Sequence, residues 1–355
     1  MKKVLAIALI GLIAVSCSKG ESSEPGISPE DGVLTFTADA PATRSFFPGS
    51  TGTMYWSSYD NLGAYAFDAS GRNLVRSDFC SIDLASVGTN EGTFTPRNFL
   101  NVGSWSDGSN SSVSGDTRYK FYGYYPETGS KEATYSSSLG GVLLNVPAAQ
   151  TGEFGRYQIC SSGEVELSKS EILKNKMIRF TFSPLTSLLR LRLYLSEDTD
   201  ASIREAYVKQ VILTASSTCP SNLTGSCFLK FSDGTLASNE SGITRKQITV
   251  TLPSPVKITR DKESNDCVDF VMLSTAAQAW TLSFDARLVD NTKLTVAPKD
   301  APAEGFIGGV RYMLERPVTI VLSDDSDDAS YVDGGDAWEN RVDNDGAYTD
   351  AGYAW

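Results

Sequence analysis

The chain has 355 residues, with 43 Asp and Glu against 31 Lys and Arg and no histidine, which gives a formal net charge of −12. The lack of imidazole excludes Ser-His-Asp and Cys-His catalytic arrangements and His-ligated zinc. The negative charge is concentrated in residues 323–355, which contain nine Asp and one Glu but only one Arg. The rest of the chain is close to neutral, so it has no basic face for nucleic acid.

The N-terminus has the pattern of an export signal that ends in a cysteine. Lys2 and Lys3 precede an uninterrupted apolar run over residues 4–15. This run is shorter than the roughly 20 apolar residues of a spanning helix, and its length suits a signal peptide. It leads into Cys17, which resembles a bacterial lipobox, where the cysteine thiol is acylated before cleavage. We predict a signal peptide over residues 1–16 and attachment to the cell outer membrane through acyl chains on Cys17. The alternative is a bare cysteine beside an ordinary cleavage site.

The hydrophobic period is two along most of the chain, which predicts β-strands. Leucines alternate with polar side chains without fault over residues 189–195. Further strands are predicted at residues 33–37, 63–67, 118–125, 142–146, 178–182, 208–214, 248–252, 280–288 and 318–322. Only residues 167–176 have the pattern of a helix. Many short strands with turn residues at intervals of about 8 to 12 predict an all-β fold of antiparallel β-sandwiches.

Changes in composition predict the domain organisation. Residues 17–31 are rich in Gly, Pro and Ser and read as a flexible tether. The polar stretch 161–176 lies near the middle of the body. We therefore predict an N-terminal β-sandwich domain over residues 32–170 and a C-terminal β-sandwich domain over residues 171–322. Residues 323–355 then form an acidic tail that contains aromatic residues.

No motif for catalysis, phosphate binding or metal binding stands out, so we expect no enzyme activity, no catalytic residue, no cofactor and no metal site. Five cysteines follow Cys17, an odd number that leaves at least one thiol unpaired. Cys219 and Cys227 flank a turn-rich loop and are a candidate disulfide. The alternative is that both are small buried residues.

Several segments, taken in order, point to a known family. They are LTFTA at 34–38, ATRSF at 42–46, MYWSSYDNLGAYA at 54–66, FYGYYP at 121–126, LNVPAAQ at 144–150, IRFTFSPLTSLLRLRL at 178–193 and GGVRYML at 308–314. Together they resemble the fimbrillin-like proteins, which are lipid-exported subunits, anchors and tip adhesins of surface pili. The resemblance implies two transthyretin-like, Greek-key β-sandwich domains in tandem. It also implies structural roles for Trp56, Asp60 and Gly63, with the indole in the core and the turn setting the next strand. Where the family often has a histidine, this chain has Pro184, which we expect just outside a paired segment.

The resemblance also implies a way of assembly. In the family's pilins, an arginine-specific protease cuts near the end of the first strand, and a strand of a neighbouring subunit fills the groove. Arg44 has the matching position, so cleavage between Arg44 and Ser45 is implied; the alternative is an ordinary loop arginine. The implied function is that of a cell-surface lipoprotein that serves adhesion as a subunit, anchor or accessory or tip component of a pilus. Its partners would be other pilus subunits, joined by strand exchange, and a glycan or protein of a host or bacterial surface.

The acidic tail shows no alternating donor pattern, because its five aromatic residues are irregularly spaced. Three interpretations are open: the aromatics dock on a partner, the carboxylates bind calcium, or the tail is disordered when the protein is alone. The sequence DNDG at 343–346 lacks the spacing and the final Glu of an EF-hand loop. An alternative function for the chain is a glycan-binding surface lipoprotein of an outer-membrane nutrient uptake system. In that case Trp105, in a polar loop, would stack on a sugar ring; otherwise it is an isolated surface aromatic.

Overall fold

In the described part of a computed structural model of the chain, the regular secondary structure is almost all β-strand, which confirms the predicted all-β fold class. It describes residues 35–39, 56–68, 71, 73–96, 117–127, 134–136, 140–152, 154–239 and 244–321. Across these ranges, no helix has the length and apolar character needed to cross a membrane.

The strands and the helix are named in chain order. The strands of the first half are β1 (Thr35–Asp39), β2 (Asn61–Asp68), β3 (Asn73–Ile82), β4 (Glu91–Pro96), β5 (Arg118–Tyr125), β6 (Thr134–Ser136), β7 (Gly141–Val146), β8 (Ala149–Gln150) and β9 (Cys160–Ser168). Helix α1 (Lys169–Asn175) follows. The remaining strands are β10 (Met177–Phe180), β11 (Ser183–Pro184), β12 (Ser187–Leu195), β13 (Glu205–Ala215), β14 (Gly225–Lys230), β15 (Leu236–Ser238), β16 (Gln247–Thr259), β17 (Cys267–Met272), β18 (Thr281–Leu288), β19 (Lys293–Asp300) and β20 (Arg311–Val318).

An eight-stranded sheet, in the order β10-β1-β4-β3-β2-β5-β9-β11, forms the N-terminal part of the molecule. Strands β10 and β11 lie at opposite edges of this sheet, although only residues 181 and 182 separate them in the chain. The sheet therefore rolls up until its two edges meet. Its inner face encloses a core rich in aromatic rings, which includes Phe36, Trp56, Phe94, Phe121 and Phe180.

Two sheets form the C-terminal part, one of three strands (β17-β12-β20) and one of five (β19-β18-β13-β16-β8). The predicted alternation over residues 189–195 is confirmed, because the leucines at 189, 191, 193 and 195 are buried in the core between these sheets. On the opposite face of β12, Arg190 contacts Asp269 at 2.8 Å and Arg192 contacts Glu315 at 2.7 Å. A period of two thus separates a leucine face from a face of ion pairs.

A four-stranded sheet, in the order β15-β14-β7-β6, joins the two halves of the chain. It covers a third core, to which Tyr65 and Tyr124 come from the first half and Leu188, Phe231 and Val271 from the second. Strand pairing crosses the predicted division between residues 170 and 171 in both directions. Strands β10 and β11 belong to the N-terminal sheet, whereas β7 pairs with β14 and β8 pairs with β16. The exact division into domains stays a prediction.

The polar stretch at 161–176 is regular structure. Its first half belongs to strand β9, whose Glu164 and Glu166 form ion pairs with Lys120 and Arg118 of the neighbouring β5. Val165 and Leu167 alternate with these acids and pack against the N-terminal core. The rest is helix α1, within the range of the predicted helix. Its first turn is closed by reciprocal hydrogen bonds between Ser168 and Glu171, the pattern of a capping box.

Two local expectations are wrong. The strand predicted at residues 318–322 is found earlier, since β20 ends at Val318. Pro184 is not outside a paired segment but pairs with Cys160 in the two-residue strand β11. Strand β11 is the last strand of its sheet, and among the residues that the structure describes no further strand pairs with its outer side. A residue without an N–H is accommodated at such an edge without loss of a ladder hydrogen bond.

Candidate functional site

The first described strand, β1, lies between two strands that are distant in sequence. It runs parallel to β10, with Thr35 opposite Met177, and antiparallel to β4, with Asp39 opposite Glu91. Phe36 and Ala38 are buried on the core side of the strand. The pleat of a strand turns Thr37, between them, to the other face of the sheet, where it is also buried. A five-residue segment thus completes both the sheet and the core of the N-terminal half.

Phe36 fills an aromatic pocket. Its side chain is 2% exposed, and its ring stacks on that of Phe180, with the two centroids 5.1 Å apart and the planes 9° from parallel. In the register of the sheet, Phe36 is opposite Phe94 on one side and Ile178 on the other. Burying a phenylalanine of this kind contributes about 2–3 kcal/mol. This pocket provides most of the apolar contact that holds β1.

Ala38 occupies a shallow position that Trp56 closes. The indole N–H of Trp56 donates to the carbonyl oxygen of Ala38 at 3.1 Å. Ala38 is opposite Gly92 on β4. A Cβ atom on Gly92 would lie 2.7 Å from the indole nitrogen and 2.7 Å from the ring of Phe94. The indole therefore takes the space that larger side chains would need at both positions, and only a small residue fits here.

On the outer face, Arg179 holds two acidic residues of neighbouring strands. Its guanidinium donates to both carboxylate oxygens of Asp39, at 2.9 and 3.0 Å, and lies 3.4 Å from the carboxylate of Glu91. Asp39 and Glu91 are directly opposite each other, an arrangement in which like charges repel. All three side chains are more than half exposed, so this ion pair is screened by solvent and specifies register more than it adds stability.

The turn before β2 holds the indole in place, which confirms the structural role expected for Trp56, Asp60 and Gly63. The buried carboxylate of Asp60 accepts hydrogen bonds from the Ser57 amide at 2.7 Å and the Tyr125 hydroxyl at 3.3 Å. A Cβ atom at Gly63 would lie 2.0 Å from the ring of Tyr124. The close approach of that ring requires glycine at this position.

Strand β1 also holds β10 in the sheet. In the described part of the chain, β10 is hydrogen-bonded to β1 and to no other strand of its sheet. At the start of the pair, the Thr35 amide donates to the carbonyl oxygen of Lys176 at 3.1 Å. Removal of β1 would therefore expose one edge of β4 and leave β10 without its pairing partner.

Several residues predicted as sites lie outside the described residues. These are Cys17, Arg44, Ser45, Trp105 and the acidic tail. Lipidation, cleavage, sugar stacking and the role of the tail therefore stay predictions.

The two cysteines of the candidate disulfide are both buried. The thiol of Cys219 donates to the Ser221 carbonyl oxygen at 3.3 Å and packs in the C-terminal core, whereas Cys227 packs in the third core. A disulfide between them stays a prediction. Among the residues that the structure describes, no group of three or more His, Cys, Asp or Glu could hold a metal ion.

The space that β1 fills between β10 and β4 is here called the groove under β1. Sequence reasoning did not single out the residues that line it. Phe94, Gly92 and Arg179 come from strands that are far from β1 in sequence. The alternation over residues 178–182 did predict a strand there, but a single sequence does not indicate which strand it pairs with.

Comparisons with known proteins support the fold. No family model matches the chain, and no curated protein matches it. Among solved structures, it is similar to a proposed cell adhesion protein from Bacteroides uniformis, with 13% identity over 82% of this chain and 97% of that chain and a TM-score of 0.50. Looser likenesses include a proposed cell adhesion protein from Bacteroides ovatus (12% identity, 82% and 99% of the two chains, TM-score 0.44). Another is a fimbrial protein from Bacteroides vulgatus (13% identity, 80% and 97%, TM-score 0.37). At this identity the first of these likenesses shows a shared fold, and that fold agrees with the resemblance to the fimbrillin-like proteins.

Proposed function

We propose that this protein is a cell-surface fimbrial or adhesion component, and that the groove under β1 accepts a strand from another chain. The observation that carries the proposal is the position of β1, a five-residue strand between β10 and β4 whose buried side chains complete the core. The order of the fimbrillin-like segments in the sequence supports it. The Bacteroides uniformis protein of the same fold, itself described as a cell adhesion protein, supports an adhesion role.

The proposed assembly begins with proteolysis. Cleavage between Arg44 and Ser45 separates residues 17–44, which include β1, from the rest of the protein. Loss of β1 uncovers the aromatic pocket of Phe94 and Phe180 and the backbone of β4. Unpaired N–H and C=O groups beside empty apolar pockets are a template for strand addition. The same cut releases the body from the acyl chains that we propose on Cys17, so processing and assembly are linked.

The protein then acts by binding, without catalysing a reaction. Before cleavage it is an outer-membrane lipoprotein. After cleavage it is a pilus component, as a subunit, an anchor or an accessory or tip component.

Detergent-resistant oligomers test this proposal. Material from cells that express the full chain is run unboiled on a denaturing gel, and the ladder is compared for the natural protein, Arg44→Ala and the control Arg287→Ala, which changes an exposed arginine. We expect a ladder for the natural protein and the control, and monomer alone for Arg44→Ala. A ladder that survives Arg44→Ala contradicts cleavage at this site. The lack of a ladder in all three contradicts assembly by strand addition.

A further inference from the structure

We propose that the groove under β1 selects its incoming strand by a four-residue pattern: an aromatic residue, one intervening residue, Ala or Gly, and an acidic residue, in a segment parallel to β10. This inference rests on the strand addition proposed above. It defines the partner by chemistry, and it excludes the acidic tail of this protein as the donor.

The neighbouring strands set the direction of the incoming strand. The groove has β10 on one side and β4 on the other, and β1 is parallel to the first and antiparallel to the second. Parallel and antiparallel ladders present their N–H and C=O groups with different spacing. A reversed strand would exchange the two ladder types, and it would bring its side chains to the positions of Phe36 and Ala38 in the opposite order. The donor therefore enters in the direction of β1.

The first position of the pattern is aromatic. Phe36 stacks on Phe180 and lies opposite Phe94, and its pocket is closed to solvent. A smaller side chain would leave a cavity between these rings, and residual cavities in a core are destabilising. An aromatic donor side chain restores the stack.

The third position is small. Ala38 is fully buried, and Trp56 lies so close to the facing Gly92 that a Cβ atom there would be 2.7 Å from the indole nitrogen. Trp56 is itself held in place, because its backbone N–H donates to the Thr89 carbonyl oxygen at 2.9 Å and its indole ring packs edge-on against Phe94. A larger donor side chain would have to displace the indole and break its hydrogen bond to the strand. Overpacking of this kind is destabilising.

The fourth position is acidic. With β1 in place, Arg179 bridges Asp39 and Glu91. When β1 is removed, Glu91 remains as the acidic partner of Arg179 across the groove. A donor with Asp or Glu at this position restores the bridge, whereas Lys or Arg would meet the guanidinium. Because these side chains are exposed, this position contributes the least to the selection.

The pattern occurs once in the 355 residues, at residues 36–39 of β1 itself. Residues 323–355 contain four aromatic residues that are followed by at least two others, and none has Ala or Gly at the third position and an acid at the fourth. The tail of a second copy therefore does not fit the groove. The one match is β1, and the proposed cleavage removes β1 from each processed copy. The occupant is therefore a strand of a different protein chain that carries the pattern, and the detergent-resistant oligomers proposed above contain that chain together with this one.

Competition by peptides tests the pattern. A recognition site for a sequence-specific protease is inserted after Arg44 in the full chain, so that the strand is released whether or not Arg44 is a natural site. After cleavage, a fluorescent peptide of residues 32–40 is bound in the groove and competed with unlabelled peptides, with anisotropy as the readout. The competitors are the same sequence, its variants Phe36→Ala, Ala38→Leu and Asp39→Lys, the matched outer-face control Thr35→Ser, and a peptide of residues 345–355.

We expect the unchanged peptide and Thr35→Ser to compete equally. Ala38→Leu should compete about tenfold more weakly or worse, and Phe36→Ala about a hundredfold more weakly. Asp39→Lys should show a smaller loss that fades with added salt, and the tail peptide should not compete. If Ala38→Leu or the tail peptide competes as well as the unchanged sequence, the pattern is wrong although strand addition stands. If the labelled peptide itself does not bind the cleaved protein, strand addition fails and the pattern fails with it.

Discussion

A buried glutamine joins the segment around β8 to a sheet of the C-terminal half, and its removal should weaken the whole molecule. Gln150 is 3% exposed and lies at the end of β8. Its side-chain amide donates to the Val271 carbonyl oxygen at 2.7 Å and accepts from the Val271 amide at 3.0 Å. It also donates to the Pro147 carbonyl oxygen at 3.0 Å. One side chain thus supplies the hydrogen bonds of a missing neighbouring strand to the outer edge of β17.

The expected effect follows from the groups left without partners. In Gln150→Ala, the N–H and C=O of Val271 remain buried and lose their partner. A buried backbone group without a hydrogen bond costs about 1–3 kcal/mol, so two such groups cost about 2–6 kcal/mol. The free energy of unfolding should fall by about 2–4 kcal/mol, since part of the cost is recovered when water reaches the site.

Equilibrium unfolding in urea, followed by tryptophan fluorescence, measures this loss. The matched control is Gln247→Ala, because Gln247 is exposed and its side-chain amide makes a 3.3 Å hydrogen bond to Thr214. Surface substitutions of this kind change stability by about 0.5 kcal/mol or less. If Gln150→Ala lowers the unfolding midpoint no more than Gln247→Ala does, the role assigned to this side chain is refuted.

Three further predictions concern the N-terminal sheet and one surface turn. Gly63→Ala should lower the free energy of unfolding by about 1–3 kcal/mol, because the added methyl group would lie 2.0 Å from the ring of Tyr124; an unchanged denaturant midpoint would contradict this. Trp56→Phe removes the indole donor to β1 at a cost of about 1 kcal/mol, and hydrogen exchange of the β1 amides should speed up while exchange in β13 does not change. Hydrogen bonds from Thr235 lower the pKa of Asp233 to about 2, so its carboxylate stabilises the fold above the unfolded pKa of about 3.9 and loses this effect as the pH falls toward 2. Thr235→Val should raise the NMR titration midpoint of Asp233, and an unmoved midpoint would show that the hydroxyl is not the cause.

Much of the fold follows from local alternation. The strand predicted at residues 118–125 is found with the same bounds, and its two faces pack into two different cores. The strand predicted at 189–195 begins two residues earlier, at Ser187, and its alternating leucines lie in one core. Strand β9 was missed because its outward positions carry Glu164 and Glu166, which makes the segment look like a polar linker. Ion pairs with β5 explain the acidic residues, and a single sequence does not indicate those partners.

The candidate site was predictable only in part. The family resemblance pointed to Trp56, Asp60 and Gly63, whose roles depend on contacts near the turn. The pocket around Phe36 depends on Phe180, which is 144 positions further along the chain and meets it because β10 pairs with β1. Such contacts arise from tertiary structure, and local patterns do not contain them.

The mature N-terminus of protein recovered from intact cells tests the central claim most directly. Mass spectrometry of the detergent-resistant oligomer should find chains that begin at Ser45, with acylated Cys17 present only in unassembled precursor. Oligomers in which every chain still begins at Cys17 and retains residues 17–44 would contradict the claim that β1 is released to open the groove.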